Sequence, residues 1–325
     1  MAEQKPPKCT GLMMSIKLAG QQSMETDMLN QDQTQEFNAL LPGDSTEQGA
    51  SRRTALKVAL GVGYAATAMP IVAQTAIKTS SDGLKTGEIT YVVDGFKVPA
   101  YFAMPAGKTN CPVVLVVQEI FGVHEYIADT CRRFAKAGYL AIASELYARQ
   151  GDPTKYGEIA KLIAEVVNKV PDAQVMADLD GAVKWAAANG GDASKVAVTG
   201  FCWGGRITWL YAAHGPVKAG VAWYGRLVGT ANPLQPRNPV DIAVNLKAPV
   251  LGLYGEKDGG IPLDTVEKMK TALSGGNLAS KYSQFVVYPE APHAFHADYR
   301  PSYRKIAADD GFARCIDWFK QQGVA

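Results

Sequence analysis

Short β-branched and aliphatic runs alternate with longer amphipathic segments over most of the chain, and this alternation restricts the fold more than any other feature. The strand candidates are Glu88–Val93, Val98–Ala103, Val113–Val117, Tyr139–Ala143, Val196–Thr199, Gly220–Trp223, Val250–Tyr254 and Gln284–Tyr288. From the third onward most are continuously apolar, as strands covered on both faces of a parallel sheet must be. Between them, Tyr126–Lys136, Tyr156–Val167, Ala173–Ala188, Gly204–Ala213, Leu263–Leu273 and Tyr303–Gln321 place apolar residues on one helical face. Asp94-Gly95 between the first two strands is a hairpin signal. The pattern predicts an α/β fold: a mostly parallel sheet of about eight strands, antiparallel at its N-terminal start, with helices on both faces. Residues 226–249, rich in proline and poor in periodicity, read as a long loop.

The N-terminal part has a different character. Residues 1–50 carry seven acids against three lysines with no sustained apolar period, the composition of an unstructured extension. Ser51-Arg52-Arg53-Thr54-Ala55-Leu56-Lys57 then meets an uncharged run from Val58 to Ala73, too short and too rich in small residues for a membrane span. A twin arginine, a weakly apolar stretch and the small-residue end Ile71-Val72-Ala73 resemble a twin-arginine export signal over 51–73. Position 55 is Ala where that pattern favours Phe. Met24 and Met28 are alternative starts. The expectation is export to the periplasm by the twin-arginine machinery, leaving one domain over 74–325 with no stable membrane span.

Composition removes several classes. With 33 basic and 31 acidic residues there is no nucleic-acid footprint. The cysteines at 9, 111, 131, 202 and 315 form neither a Cys-x-x-Cys pair nor a disulfide ladder. Without a phosphate-cradling glycine loop or a His-x-x-x-His spacing, no cofactor or metal is expected.

Gly200-Phe201-Cys202-Trp203-Gly204-Gly205 follows a strand directly and opens a helix. This is the setting of a nucleophile elbow, with sulfur in place of oxygen, and a helix N-terminus behind Cys202 favours the thiolate. Elbow enzymes draw an acid and then a base from later strand ends. Asp258 follows Val250–Tyr254 and His293 follows Gln284–Tyr288, so the order is right. Glu256 and Asp264 are the alternative acids. Of the other histidines, His214 ends a helix, His124 precedes the nucleophile, and His296 stays open as a base. The oxyanion donors are expected to be the backbone N–H groups of Trp203 and of Ile120, in the loop after Val113–Val117. Glu119 in that loop is either a modulator of the thiol or a cap for the following helix.

Four stretches together, Gln118-Glu119-Ile120-Phe121-Gly122, Glu145-Leu146-Tyr147-Ala148-Arg149-Gln150-Gly151, the Cys202 elbow and Pro289-Glu290-Ala291-Pro292-His293-Ala294-Phe295, resemble the dienelactone hydrolase family of the α/β-hydrolase fold. The resemblance implies a Cys202-Asp258-His293 triad, a small ester or lactone substrate of the carboxymethylenebutenolidase kind, and a Glu119 that pairs with the resting thiol. It also implies a serine after the histidine and an arginine in the segment after the Leu-Tyr-Ala-Arg-Gln stretch to bind a substrate carboxylate. Here Ala294 stands after His293, residues 152–170 hold lysines but no arginine, and Ser144 replaces a usual proline. Dienelactone itself is therefore not the expected substrate. The alternative function is a non-catalytic or thiol-reactive binding protein that keeps the same pocket.

Overall fold

The computed structural model describes residues 76–325; the expected extension over 1–50 and export signal over 51–73 lie outside these residues. The eight strands are β1 Leu84–Val93, β2 Phe96–Pro105, β3 Cys111–Val117, β4 Leu140–Ser144, β5 Gly191–Phe201, β6 Ala219–Trp223, β7 Val250–Gly255 and β8 Gln284–Tyr288. They form one sheet in the order β1-β2-β4-β3-β5-β6-β7-β8. The β1–β2 and β2–β4 pairings are antiparallel and the rest parallel.

Every residue of β4, β6 and β7 is buried. Because successive side chains point to opposite faces, this requires cover on both sides of the sheet. The edge strands β1 and β8 alternate or stay half-buried instead. The cover comes from α1 Glu125–Lys136, α2 Ile159–Glu165, α3 Asp172–Ala188, α4 Trp203–His214, α5 Pro239–Ile242, α6 Leu263–Ser274, α7 Leu278–Tyr282 and α8 Lys305–Gln321. Three of these correct the sequence reading. The expected loop 226–249 contains α5, started by a capping box between Asn238 and Asp241 with Pro239 at the first helical position. The five-residue α7, capped by Asn277, has no counterpart among the expected helices, being too short to show a period. The helix expected over Tyr156–Val167 shrinks to α2, flanked by 3-10 turns at Pro153–Lys155 and Val167–Lys169.

Helix α1 and the start of the described chain are held by two buried aspartates. Asp129 accepts from Thr79 N (2.5 Å), Arg132 (2.9 Å) and Arg133 (2.6 Å), and Asp298 accepts from Ile77 N (3.3 Å) and from Arg133.

Candidate active site

Strand β5 stops at Phe201 and α4 begins at Trp203, so Cys202 alone makes the turn, with φ 55° and ψ −115°. A side chain other than glycine rarely adopts positive φ, and a residue held there is fixed by its surroundings. Cys202 N donates to Trp223 O on the neighbouring strand β6 (3.0 Å), while Cys202 O accepts from Gly205 N (2.9 Å). The turn is tight enough to require glycine on both sides. A Cβ on Gly200 would lie 2.2 Å from Gly204 O, and one on Gly204 would lie 2.4 Å from Val117 O. That second contact presses the first turn of α4 against the end of β3. Trp203, at the head of its helix, has no intrahelical acceptor for its N–H. Ile120 sits in a tight turn closed by the Glu119–Gly122 bridge, so the two expected oxyanion donors come from segments packed against each other.

The loops after β7 and β8 bring together the expected acid and base. His293 Nδ1 donates to Asp258 Oδ2 (2.7 Å), with both side chains fully buried. Asp258 Oδ1 accepts from Gly260 N (2.9 Å) and Ile261 N (3.1 Å), which fixes the carboxylate before it meets the ring. Burial pulls the His293 imidazolium down, but the charges of Asp258 and Cys202 and hydrogen bonds to both outweigh it, and its pKa stands well above the ordinary histidine range. Nε2 makes no conventional short hydrogen bond, which leaves it to the sulfur and to whatever reacts there. Tyr224, itself at φ 38°, lays its ring edge-on to the imidazole at 5.1 Å. The alternatives are placed elsewhere. Glu256 is exposed, and Asp264 pairs with Lys268 (2.9 Å) on the surface of α6. His214 pairs with Asp180 (3.0 Å). His296 accepts from the Tyr126 hydroxyl (2.7 Å), stacks on Phe201 and is driven well below the ordinary range by burial and by Arg133, so it stays neutral.

Glu119 does not cap α1, whose N-cap is His124 with no side-chain cap bond. Its Oε2 accepts from His124 Nε2 (3.2 Å) and from the Tyr299 hydroxyl (2.7 Å). Arg300 donates to the Tyr299 hydroxyl (2.9 Å) and stacks over Phe121 (4.8 Å). Burial alone would raise this carboxyl. The His124 hydrogen bond and the charges of Arg300 and His124 win, and its pKa falls to about 2. Glu119 is therefore a buried permanent anion, and its Oε1 accepts no hydrogen bond. The sequence alone gives His124, Tyr299 and Arg300 no part in this cluster. The one available cue is the aromatic-basic pair Tyr299-Arg300, which begins six residues beyond the expected base.

A mostly parallel eight-stranded sheet with a positive-φ cysteine turn at the C-terminal end of its central strand and a buried carboxylate–imidazole pair on later loops defines an α/β-hydrolase. The dienelactone hydrolase family profile matches residues 98–323, and the chain belongs to that family and is a hydrolase. It is 57% identical over 291 residues to a protein of Methylorubrum extorquens provisionally named carboxymethylenebutenolidase, covering 89% of this chain and 99% of that one. An Escherichia coli protein with the same provisional name is 52% identical over 80% of this chain and 96% of its own length. A crystal structure of a provisionally named dienelactone hydrolase from Klebsiella pneumoniae superposes with TM-score 0.71 and 58% identity, covering 73% of this chain and 99% of that one. A dienelactone hydrolase-like promiscuous phosphotriesterase from metagenomic libraries (TM-score 0.61, 21% identity, covering 74% of this chain and 99% of that one) shares the fold.

Proposed function

We propose that the protein hydrolyses a small ester or lactone through a Cys202-His293-Asp258 triad and a thioester intermediate. The observation that carries this is the buried His293–Asp258 pair coupled to a cysteine held at positive φ between β5 and α4. The Cys202 thiolate attacks the carbonyl carbon, the Trp203 and Ile120 N–H groups hold the oxyanion, and the His293 imidazolium gives its proton to the leaving alkoxide. Neutral His293 then takes a proton from the attacking water, and the thioester breaks to release acid and thiolate. Asp258 keeps Nδ1 protonated so that Nε2 faces the sulfur.

The unpartnered Oε1 of Glu119 is available to accept from the Cys202 S–H whenever the sulfur is protonated. A carboxylate with a pKa near 2 is a poor proton store, so the thiol proton resides on His293, whose raised pKa suits that task. Ala294 and the arginine-free segment 152–170 supply none of the expected carboxylate ligands, which favours an uncharged acyl group over dienelactone. The test is turnover of p-nitrophenyl acetate by the purified protein and by Cys202→Ala. Loss in the variant is expected, and equal rates would overturn the reading.

We further propose that the 51–73 segment directs the folded domain to the periplasm through the twin-arginine machinery and that the chain up to Ala73 is cleaved off on export. N-terminal sequencing of periplasmic material should begin near Gln74, and a chain still carrying Arg52-Arg53 would refute cleavage. Among the described residues no helix is long and apolar enough to cross a membrane.

A further inference from the structure

The loop carrying Ile120 has a neighbour that the proposed reaction does not use. A groove of about 510 Å³ lies between the β1–β2 hairpin, the start of α1 and the turn after β4. Ile89, Pro99, Tyr101, Val123 and Ala128 give it mainly apolar walls, and none of Cys202, Asp258 or His293 lines it. Its polar groups include two carboxylates, Glu145 and Glu88, and its lining holds no lysine, arginine or histidine. The nearby Arg132, behind Tyr101, is already engaged by Asp129 and Glu125.

Glu145 joins this groove to the oxyanion-side loop. Its Oε1 accepts from Val123 N (2.7 Å). Its Oε2 lies where a Cβ on Gly122 (φ 77°) would come within 2.9 Å, so Gly122 is packed directly on the carboxyl. The residue is 7% exposed, and burial pushes its pKa up to about 7 against the pull of the Val123 hydrogen bond. A buried carboxylate with so little donor support gains from a cation placed beside it.

We propose that this groove is a second ligand site, for a small apolar molecule carrying a protonated amine, and that its occupancy is transmitted through Glu145 to the loop bearing Ile120. The walls take the apolar body and the carboxylates of Glu145 and Glu88 take the ammonium, whereas an anion meets like charge from both. An ammonium at Glu145 favours its ionised form and strengthens the hydrogen bond to Val123 N–H, holding the Gly122–Val123 segment more firmly. The binding half of the inference is independent of catalysis; the transmission half rests on Ile120 acting in the proposed hydrolysis.

The probe is N,N-dimethylbenzylamine, a tertiary amine that leaves no stable amide with an acyl-enzyme, titrated into the full chain by calorimetry near neutral pH with benzoate as the anionic control. Saturable binding of the amine and none of benzoate are expected. Glu145→Gln removes the charge, and Thr90→Trp fills the groove from an exposed position on β1. Each should weaken binding at least about tenfold, Glu145→Gln through the loss of one charge-assisted contact and Thr90→Trp by occupying the space. No saturable binding, or binding that survives both substitutions, overturns the site. In p-nitrophenyl acetate turnover, saturating amine should change kcat in the native protein and leave Thr90→Trp unchanged; an unaltered kcat in the native protein overturns the transmission. Should Cys202→Ala retain turnover, the Cys202 triad reading fails while the calorimetric result still decides the site.

Discussion

Replacing Glu119 by glutamine should destabilise the protein in a manner that depends on pH. The folded carboxyl has a pKa of about 2 against an ordinary 4.5. At about 1.4 kcal/mol per pH unit, that separation is worth about 3 kcal/mol at neutral pH. The sign follows from the depressed folded value: the stabilisation is complete above 4.5 and is lost as pH falls through about 2. By pH ~3 the unfolded chain has bound the proton while most of the folded carboxylate has not, so somewhat under half of the ~3 kcal/mol remains. The Glu119→Gln side chain would also turn an amide toward Tyr299, His124 and Arg300, all of them donors, which adds a cost that does not vary with this titration. The diagnostic quantity is therefore the change in the difference between native protein and variant. Urea unfolding followed by tryptophan fluorescence at pH ~7 and ~3 should show the gap narrow by roughly 2 kcal/mol. A gap that is the same at both pH values, or a variant as stable as the native protein at neutral pH, would refute the buried-anion argument.

Asp258→Asn should leave the fold intact and lower kcat by about a thousandfold or more, because the amide no longer selects the Nδ1–H tautomer of His293; steady-state kinetics with p-nitrophenyl acetate checks this. Gly204→Ala would improve an isolated helix, yet its Cβ would meet the Val117 and Gln118 carbonyls at 2.4 and 2.5 Å. We expect a loss of about 2 kcal/mol or more, read as a lower melting temperature, and a variant melting at or above the native temperature would contradict the described packing. The raised His293 pKa keeps the imidazolium charged, and its contribution to stability is present below the ordinary 6.5 and lost as pH rises through the folded value. Alkylation of Cys202 by iodoacetamide should accordingly hold its rate from pH ~8 to ~6, whereas His293→Ala should lose rate over the same interval; parallel profiles would refute the coupling.

The strands, the elbow and the triad candidates are legible in the sequence because each depends on local patterns. Continuous apolar runs mark the buried strands, and Gly200 and Gly204 mark a turn where no side chain fits. The order of Asp258 and His293 after Cys202 follows from the chain path of an open parallel sheet. What stays hidden depends on contacts distant in sequence. Glu119 meets Tyr299 across 180 residues, and no spacing rule connects them. His124 precedes the nucleophile, which disfavours it as the general base but says nothing about a group that steadies a carboxylate. The short α7 escapes notice because five residues carry no readable period, and α5 because its proline-rich surroundings suggest a loop, although Asn238-Pro239 is a helix-start signal.

The bonds from Ile77 N to Asp298 and from Thr79 N to Asp129 bear on proteolytic trimming. Asp298 lies five residues past His293, and Asp129 lies five past His124, the partner of Glu119. A terminus trimmed past Thr79 would remove a donor from each of two buried carboxylates, beside a small cavity of about 130 Å³ bordered by Ile77, His124 and Tyr299. Among the described residues, then, Ile77 is the first whose backbone is tied to the domain by a side-chain hydrogen bond, and a tag joined directly ahead of it would emerge within reach of the groups that steady Glu119.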